Sequence, residues 1–311
     1  MPLHLITPKV FLCRLLPLAL AFSPVAAQAQ MSFSSTPQSG LSIAVPGAAS
    51  LRDNRASEWK TGHNSRVRII SGETDFSSKK PSYAGVQLQL SNGWKTYWRS
   101  PGDTGVPPSF DWSGSSNLKN IRILWPAPQK YKDEFSTTIG YAHEVILPLK
   151  ITAKDTSKPV ALKLRIGYGI CDDICVPIEK SLKLTISPRQ SGYKTLLSRY
   201  RKMVPATVKS TGRTLNGFSI QKISINLKGK KPNIIIDARV PTDTKKAELY
   251  VEASNGFYLP LPVEKKSTPG NHRRFFIDLT KGDPPKDLAG HTLAFTLVGN
   301  KTGIEYRHKI N

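Results

Sequence analysis

A regular alternation of apolar and polar residues on both sides of a close pair of cysteines is the feature that most constrains how this chain can fold. Apolar side chains occupy every second position of residues 162–170, and they recur at even positions through residues 176–186. A period of two is typical of half-buried β-strands, so the pattern predicts two strands joined by a short turn that contains Cys171 and Cys175. Extending the parity of each strand places both cysteines on its polar, outward face.

Two glycines share that outward face with the first cysteine. Gly167 and Gly169 precede Cys171 at intervals of two residues. Because glycine has no side chain, this part of the strand surface is bare, and we expect a covering side chain or another backbone segment to approach it.

The beginning of the chain has the pattern of a secretory signal peptide. Lys9 and Arg14 supply the charged start, an apolar stretch follows, and Ala27-Gln28-Ala29 offers a cleavage site. The apolar stretch is shorter than the about 20 residues that a membrane-spanning helix needs. We therefore expect residues 1–30 to be removed and the mature chain to be a periplasmic protein with two cysteines, in a compartment where disulfides persist.

The mature chain divides into segments of different composition. Residues 31–58 form a lead-in that begins rich in Ser, Gly, Ala and Pro, residues 59–190 contain short strand-like runs, residues 191–205 predict a helical linker, and residues 206–311 form a second β region. The strands predicted in that second region are 218–226, 233–240, 247–253, 257–264, 273–279, 292–298 and 303–309. The pattern predicts an all-β chain with two β domains joined by a short helix, and the about seven short strands of the second domain suggest an immunoglobulin-like sandwich.

The chain is strongly basic, with a formal net charge of +23. Such a charge would favour acidic partners or loose association with an anionic membrane surface. The basic residues are scattered along the predicted strands, without a dense cluster or a recognition-helix pattern, so we expect no nucleic-acid partner.

The cysteine pair leaves three roles open: a redox-active disulfide, a structural disulfide, or a metal site. Closing a loop this short stabilises a protein by only about 2 kcal/mol, which weakens the structural interpretation. Asp172 and Asp173 lie between the thiols and disfavour a strongly acidic thiol, so a redox pair here would act as a relay for a better activated partner. The spacing would also suit Cu(I) binding, as in copper-assembly proteins of the Sco type, but no histidine has persuasive spacing and we expect no metal or cofactor.

Several motifs together resemble the periplasmic N-terminal domain of DsbD, and more closely the N-terminal region of the related ScsB proteins. The resemblance extends over about 60–188. It rests on Asp133-Glu134-Phe135, Tyr141, Leu147-Pro148-Leu149, Tyr168, Cys171, Cys175, Pro177 and Glu179, and for ScsB on Gly93-Trp94-Lys95-Thr96-Tyr97-Trp98-Arg99, on residues 101–108 and on residues 124–128.

The resemblance implies an immunoglobulin-like sandwich that takes electrons from a membrane-embedded reductase and passes them to thioredoxin-like periplasmic proteins. By this likeness Cys175 forms the mixed disulfide with partners and Cys171 resolves it. Phe135 would cap the disulfide, and Asp133 and Glu134 would be proton acceptors near the sulfurs. The residues that would line the site are Tyr141, Tyr168 and Pro177.

Two departures from DsbD affect this interpretation. The DsbD domain has more residues between its cysteines than the three found here, and the membrane domain and the C-terminal thioredoxin domain are not in this sequence. We therefore expect a separate reductase of the CcdA or DsbD type as electron donor.

The sequence thus predicts a protein-disulfide reductase or exchange relay that serves thioredoxin-like or copper-stress periplasmic proteins. The alternatives are a non-catalytic envelope binding module with a structural disulfide and a Cu(I)-binding protein.

Overall fold

The structure is a computed structural model, and it describes residues 55–310 except 79, 103–104, 133–136 and 266–269. Its regular structure is almost entirely β, so the all-β prediction is confirmed. The strands before the helix are β1 (Lys60–Gly62), β2 (Ser65–Ser71), β3 (Thr74–Asp75), β4 (Ser82–Leu90), β5 (Lys95–Gly102), β6 (Ser109–Asp111), β7 (Leu118–Ile123), β8 (Gln129–Lys132), β9 (Thr137–Ala142), β10 (Glu144–Ala153), β11 (Val160–Cys171), β12 (Cys175–Ile186) and β13 (Arg189–Gln190).

These strands form a first sandwich of two principal sheets. One sheet has the order β1-β2-β4-β10-β7, and the other has the order β12-β11-β5-β9-β8 with β6 paired to β11. Alternate apolar residues of both sheets share one core, as the period of two requires. Representative buried residues are Ile69, Val86, Ile146 and Leu149 of the first sheet, and Trp98, Ile139, Leu162 and Leu164 of the second.

One α-helix, α1 (Lys194–Lys202), follows the first sandwich in the described part of the chain. The sequence predicted a helical linker over residues 191–205. Leu197 and Tyr200 are buried on the core of the first sandwich, and the Tyr200 hydroxyl donates to the Glu144 carbonyl oxygen. The helix therefore packs on the first sandwich as well as leading to the next strands.

The strands after the helix form a second sandwich. They are β14 (Ala206–Val208), β15 (Ser219–Asn226), β16 (Asn233–Arg239), β17 (Ala247–Ala253), β18 (Val263–Lys265), β19 (His272–Asp278), β20 (Thr292–Gly299) and β21 (Thr302–Lys309), with 3₁₀ helices at Ser254–Gly256, Leu279–Lys281 and Pro285–Leu288. Its sheets have the orders β14-β21-β20-β17 and β15-β16-β19-β18. A second apolar core lies between them.

Two details of the second sandwich differ from the sequence prediction. The strand predicted over 257–264 forms only at Val263–Lys265, because Pro260 and Pro262 have no N–H group to give to a ladder. The short strand β14, which the sequence did not predict, pairs in parallel with β21.

The two sandwiches contact each other along one sheet of the second. Tyr250 and Val298, from β17 and β20, belong to the apolar core of the first sandwich, and the side chain of Lys130 lies 2.8 Å from Glu248. The sheet β14-β21-β20-β17 therefore packs against a core on one face and against the first sandwich on the other. Among the described residues, no helix combines the length and the hydropathy that crossing a membrane requires.

Candidate redox site at the Cys171–Cys175 hairpin

The two cysteines lie at the tip of the longest hairpin in the described chain. Strands β11 and β12 pair without a register shift from Val160↔Ile186 to Cys171↔Cys175. A disulfide joins the cysteines, whose Cα atoms are 4.2 Å apart, and the Asp172 amide donates to the Ile174 carbonyl oxygen across the turn. The alternating sequence thus produces the predicted hairpin, with the pair at its end.

Both cysteines reach the surface, as the parity of the strands predicts. Cys175 is exposed and Cys171 is half-buried. Beside them Ile174 is 62% exposed, and Pro177, which pairs with Gly169, is also exposed. A partner can therefore reach Cys175 without opening the sandwich.

Tyr97 of β5 is the residue that contacts the disulfide most directly. Its hydroxyl lies 3.2 Å from Cys175 Sγ, within hydrogen-bond distance for sulfur. The side chain is nevertheless buried, and this burial raises the pKa of Tyr97 above its ordinary value. The phenol therefore keeps its proton at neutral pH and can donate it in a hydrogen bond to a cysteine sulfur.

Glycines hold the Tyr97 ring on both sides. A Cβ atom added at Gly169 would lie 2.7 Å from Cε2 of the ring, and one added at Gly105 would lie 2.5 Å from Cε1. Side chains at either position would displace the ring. The expectation that the bare glycine face receives a covering side chain is thus confirmed, and Tyr97 is that side chain.

Lys95 supplies a positive charge at the same edge. It pairs with Cys171 in the register of β11 and β5, and its Nζ donates to the Gly93 carbonyl oxygen at 3.1 Å. Nζ also lies 3.9 Å from Asp172 Oδ1. The ammonium group therefore offsets part of the negative charge that Asp172 brings to the turn.

The predicted lining residues Tyr141 and Tyr168 lie in the core behind this site. The Tyr141 hydroxyl donates to the Pro126 carbonyl oxygen at 2.8 Å, and the Tyr168 hydroxyl lies 3.0 Å from Ser65 Oγ. Together with Tyr97 they line a cavity of about 20 Å³. Burial raises the pKa of both phenols, so both are neutral at physiological pH.

The predicted cap and its neighbours, Phe135, Asp133 and Glu134, lie outside the described residues. The strands that flank them are described, with Lys132 of β8 paired to Thr137 of β9. Within the described ranges, no group of three or more His, Cys, Asp or Glu side chains has the geometry to hold a metal ion.

Tyr97 was missing from the residues predicted for the site. It lies in the aromatic run between Gly93 and Arg99 that carries the likeness to ScsB, but nothing in that run distinguishes it from its neighbours. The available signal was the bare face at Gly167 and Gly169, which predicted that something covers it without naming the residue.

Comparisons with known proteins show which family and which fold this chain resembles. Residues 66–187 match the family model described as "Thiol:disulfide interchange protein DsbD, N-terminal". No curated protein matches the sequence significantly.

A solved structure extends the likeness beyond those residues. The crystal structure of the N-terminal periplasmic domain of ScsB from Proteus mirabilis superposes with a TM-score of 0.62 at 22% identity, over 83% of this chain and 99% of that chain. Because this share is larger than one sandwich alone, the common fold includes both. The resemblance predicted from the sequence is therefore confirmed: the first sandwich matches the DsbD N-terminal domain family, and the chain has the fold of the ScsB domain.

Proposed function

We propose that this protein is a periplasmic thiol:disulfide interchange protein in which Cys171 and Cys175 carry two electrons from a membrane reductase to thioredoxin-like or copper-stress proteins. The observation that carries the proposal is the position of the disulfide. It lies at an exposed hairpin tip, in hydrogen-bond contact with the neutral phenol of Tyr97.

A purely structural role explains this arrangement less well. The paired residues of β11 and β12 already hold the tip together, down to Ile170↔Val176 next to the cysteines. A disulfide that closes so short a loop adds about 2 kcal/mol at most to the stability of a hairpin held in this way. Exposure, in contrast, makes a disulfide accessible to exchange.

The exchange proceeds in two halves, each through a mixed disulfide. A thiolate of the donor attacks one sulfur of the Cys171–Cys175 bond and forms a mixed disulfide. The second donor thiol then attacks the donor sulfur of that mixed disulfide and releases the cysteine. The donor leaves oxidised, and the pair is reduced with two protons taken up. The Cys175 thiolate next attacks the client disulfide. Cys171 then attacks Cys175 Sγ, which releases the reduced client and restores the intramolecular bond.

The side chains around the pair assist these steps. The Tyr97 hydroxyl donates to Cys175 Sγ and stabilises it when it leaves or attacks as a thiolate. Lys95 provides a nearby positive charge that has the same effect. The exposed apolar side chain of Ile174, in the turn between the two cysteines, offers a partner a surface beside the sulfurs.

The reduction potential of the Cys171–Cys175 pair tests the proposal. It is measured on the full mature chain by thiol trapping in glutathione buffers. We expect a value between about −120 and −270 mV, the range of exchange proteins, and a value well below about −300 mV would mark a structural disulfide and overturn the proposal.

A pair of variants identifies the attacking cysteine. We expect Cys171→Ser to accumulate a mixed disulfide with an oxidised thioredoxin-like protein, because the resolving thiol is gone, and Cys175→Ser to accumulate none. The double variant is the control, because a structural disulfide predicts only a loss of about 2 kcal/mol of stability from it.

A further inference from the structure

Strand β5 contacts the disulfide at one point and the second sandwich at the next. Tyr97 reaches Cys175. The following residue, Trp98, is fully buried, and its ring centroid lies 5.5 Å from that of Tyr250 in the second sandwich. One residue further, Arg99 crosses to two carboxylates of the second sandwich.

The ion pairs of Arg99 have the geometry of a clamp. Its Nε donates to Glu252 Oε1 at 2.9 Å and its Nη2 to Glu252 Oε2 at 2.7 Å, a bidentate arrangement. The same Nη2 donates to Glu305 Oε2 at 2.6 Å. The three side chains are 25%, 21% and 11% exposed, and the guanidinium also lies over the Trp98 ring at 4.6 Å.

The ion pairs of Arg99 hold β5 at the point where its pairing with β9 is interrupted. Tyr97 pairs with Gly140 of β9, but the next pair is Gly102 with Thr138, so the four residues between Tyr97 and Gly102 face a single residue of β9. Such a bulge interrupts the ladder and redirects side chains. The bulged residues are thus positioned by Trp98 and Arg99 against the second sandwich.

Tyr97 and Gly105, one of the two glycines that contact its ring, lie in or next to this segment. Tyr97 itself ends the regular pairing before the bulge, and Gly105, which approaches the Cε1 edge of the ring, follows β5 by three residues. A displacement of the bulge would therefore move the Tyr97 phenol, Gly105, or both.

We infer that Arg99 is a positioning residue of the redox site, and that Glu252 and Glu305 of the second sandwich hold strand β5 so that the Tyr97 hydroxyl stays at Cys175. The second sandwich is on this inference part of the redox apparatus rather than an independent module. The inference rests on the exchange function proposed above.

Three variants of the full mature chain test it. Arg99→Met removes the clamp, and Glu252→Gln breaks its bidentate half while keeping the shape of the side chain. Lys130→Met is the matched control, because Lys130 forms an ion pair of similar exposure with Glu248 at the same interface, but from β8 rather than β5. The rate of reduction by dithiothreitol and the rate of Cys175 alkylation at pH 7 in the reduced chain are measured for each.

We expect Arg99→Met and Glu252→Gln to slow both rates by about threefold to tenfold, the effect of losing one hydrogen bond to a charged sulfur. The control should stay within about twofold of the wild type. The direction in which Glu252→Gln changes the two rates is decisive. It removes a negative charge, so a change in the electrostatic field alone would favour the thiolate and speed both reactions, whereas loss of position slows them.

A double-mutant cycle with Tyr97→Phe completes the test. If Arg99 acts through the Tyr97 hydroxyl, Arg99→Met has no further effect in a Tyr97→Phe background. Wild-type rates in Arg99→Met and Glu252→Gln, or additive effects in the cycle, would overturn the inference and leave the exchange function intact. A wild-type chain whose Cys171–Cys175 pair has a reduction potential in the range of structural disulfides would instead overturn the exchange function. If Arg99→Met does not fold, Glu252→Gln decides alone.

Discussion

Tyr97 shows what a single residue contributes that a sequence pattern cannot name. The alternation in β11 predicted the outward face of the cysteines and the bare surface at Gly169, and both predictions are confirmed. Which side chain fills that surface depends on β5, which lies beside β11 only in the folded sheet. The position of Tyr97 therefore depends on tertiary structure and cannot be predicted from local periodicity.

Removal of the Tyr97 hydroxyl should slow exchange without unfolding the protein. In Tyr97→Phe we expect reduction by dithiothreitol to slow up to about tenfold, since a hydrogen bond to a charged group contributes about 1.5 kcal/mol and 1.4 kcal/mol is a factor of ten. Stopped-flow reduction of the full chain measures the rate.

Tyr168→Phe is the control for that experiment. It removes a phenol hydroxyl of comparable burial, but one that contacts Ser65 Oγ inside the core. We expect it to lower the melting temperature and to leave the exchange rate near that of the wild type. Equal slowing in the two variants would show that the Tyr97 contact has no special role.

At the scale of elements, the sequence predicted what depends on local pattern. The hairpin of β11 and β12 and most strands of the second sandwich lie within one or two residues of their predicted bounds. The prediction over 257–264 was wrong. Apolar residues alternate there, but Pro260 and Pro262 have no backbone N–H group to donate to a neighbouring strand. The bulge in β5 contains Pro101 and ends at Gly102, residues typical of a bulge, but its contacts with the second sandwich depend on residues distant in sequence and could not be predicted from local pattern.

The Tyr97 ring fits between Gly105 and Gly169, so β11 is sensitive to one added methyl group. In Gly169→Ala the new Cβ would lie 2.7 Å from the Tyr97 ring, so the ring must move. We expect a loss of about 1–3 kcal/mol in stability, typical of overpacking, together with slower reduction of the disulfide. Chemical denaturation and the dithiothreitol assay measure the two effects.

Gly167→Ala separates overpacking from the loss of the phenol contact. Gly167 lies two residues away on the same face, and its added Cβ would also lie 2.7 Å from a neighbour, but that neighbour is Ser109 Oγ. This variant should keep the wild-type exchange rate, and it should lose less stability than Gly169→Ala, because the hydroxyl of the exposed Ser109 can rotate away. A slow Gly167→Ala would instead mean that any strain in β11 impairs the site.

For the whole molecule, the sequence predicted two sandwiches and a short helix but not how the sandwiches join. The sheet β14-β21-β20-β17 is covered on both faces, yet its outer-face residues include Glu248, Glu252 and Glu305. Charged residues at alternate positions normally indicate a solvent-exposed face. Their partners Arg99 and Lys130, distant in sequence, and the apolar contacts of Tyr250 and Val298 with the first core make that face an interface.

These partly buried ion pairs predict how stability depends on pH. Burial alone would raise the pKa of Glu305, but the attraction of Arg99 and the hydrogen bonds from Arg99 and Arg307 outweigh it, so the pKa lies below its ordinary value of 4.5. A carboxylate with a lowered pKa stabilises the fold fully above its unfolded-state pKa, and this contribution is lost as the pH falls through the folded-state value. We expect Glu305→Gln to melt at least about 2 °C below the wild type at pH 7, and the two melting curves to converge toward pH 3.

The control for this titration is a carboxylate away from the interface. Asp155 also has a lowered pKa, through hydrogen bonds from Ser157 and Lys158, but its side chain is 43% exposed, against 11% for Glu305. Asp155→Asn should therefore change the melting temperature much less than Glu305→Gln at pH 7. A constant difference between Glu305→Gln and the wild type from pH 7 to pH 3 would contradict the ion-pair explanation.

The separations along the chain imply an order in which the site is assembled. Cys171 and Cys175 are only four residues apart, whereas the contacts of Arg99 join residues separated by 153 and 206 positions. Closing a short hairpin is fast, and long-range pairings form late because their loops are costly to close. The disulfide can therefore form in a chain whose β5 is not yet clamped, and an oxidised cysteine pair reports a formed hairpin rather than a finished protein.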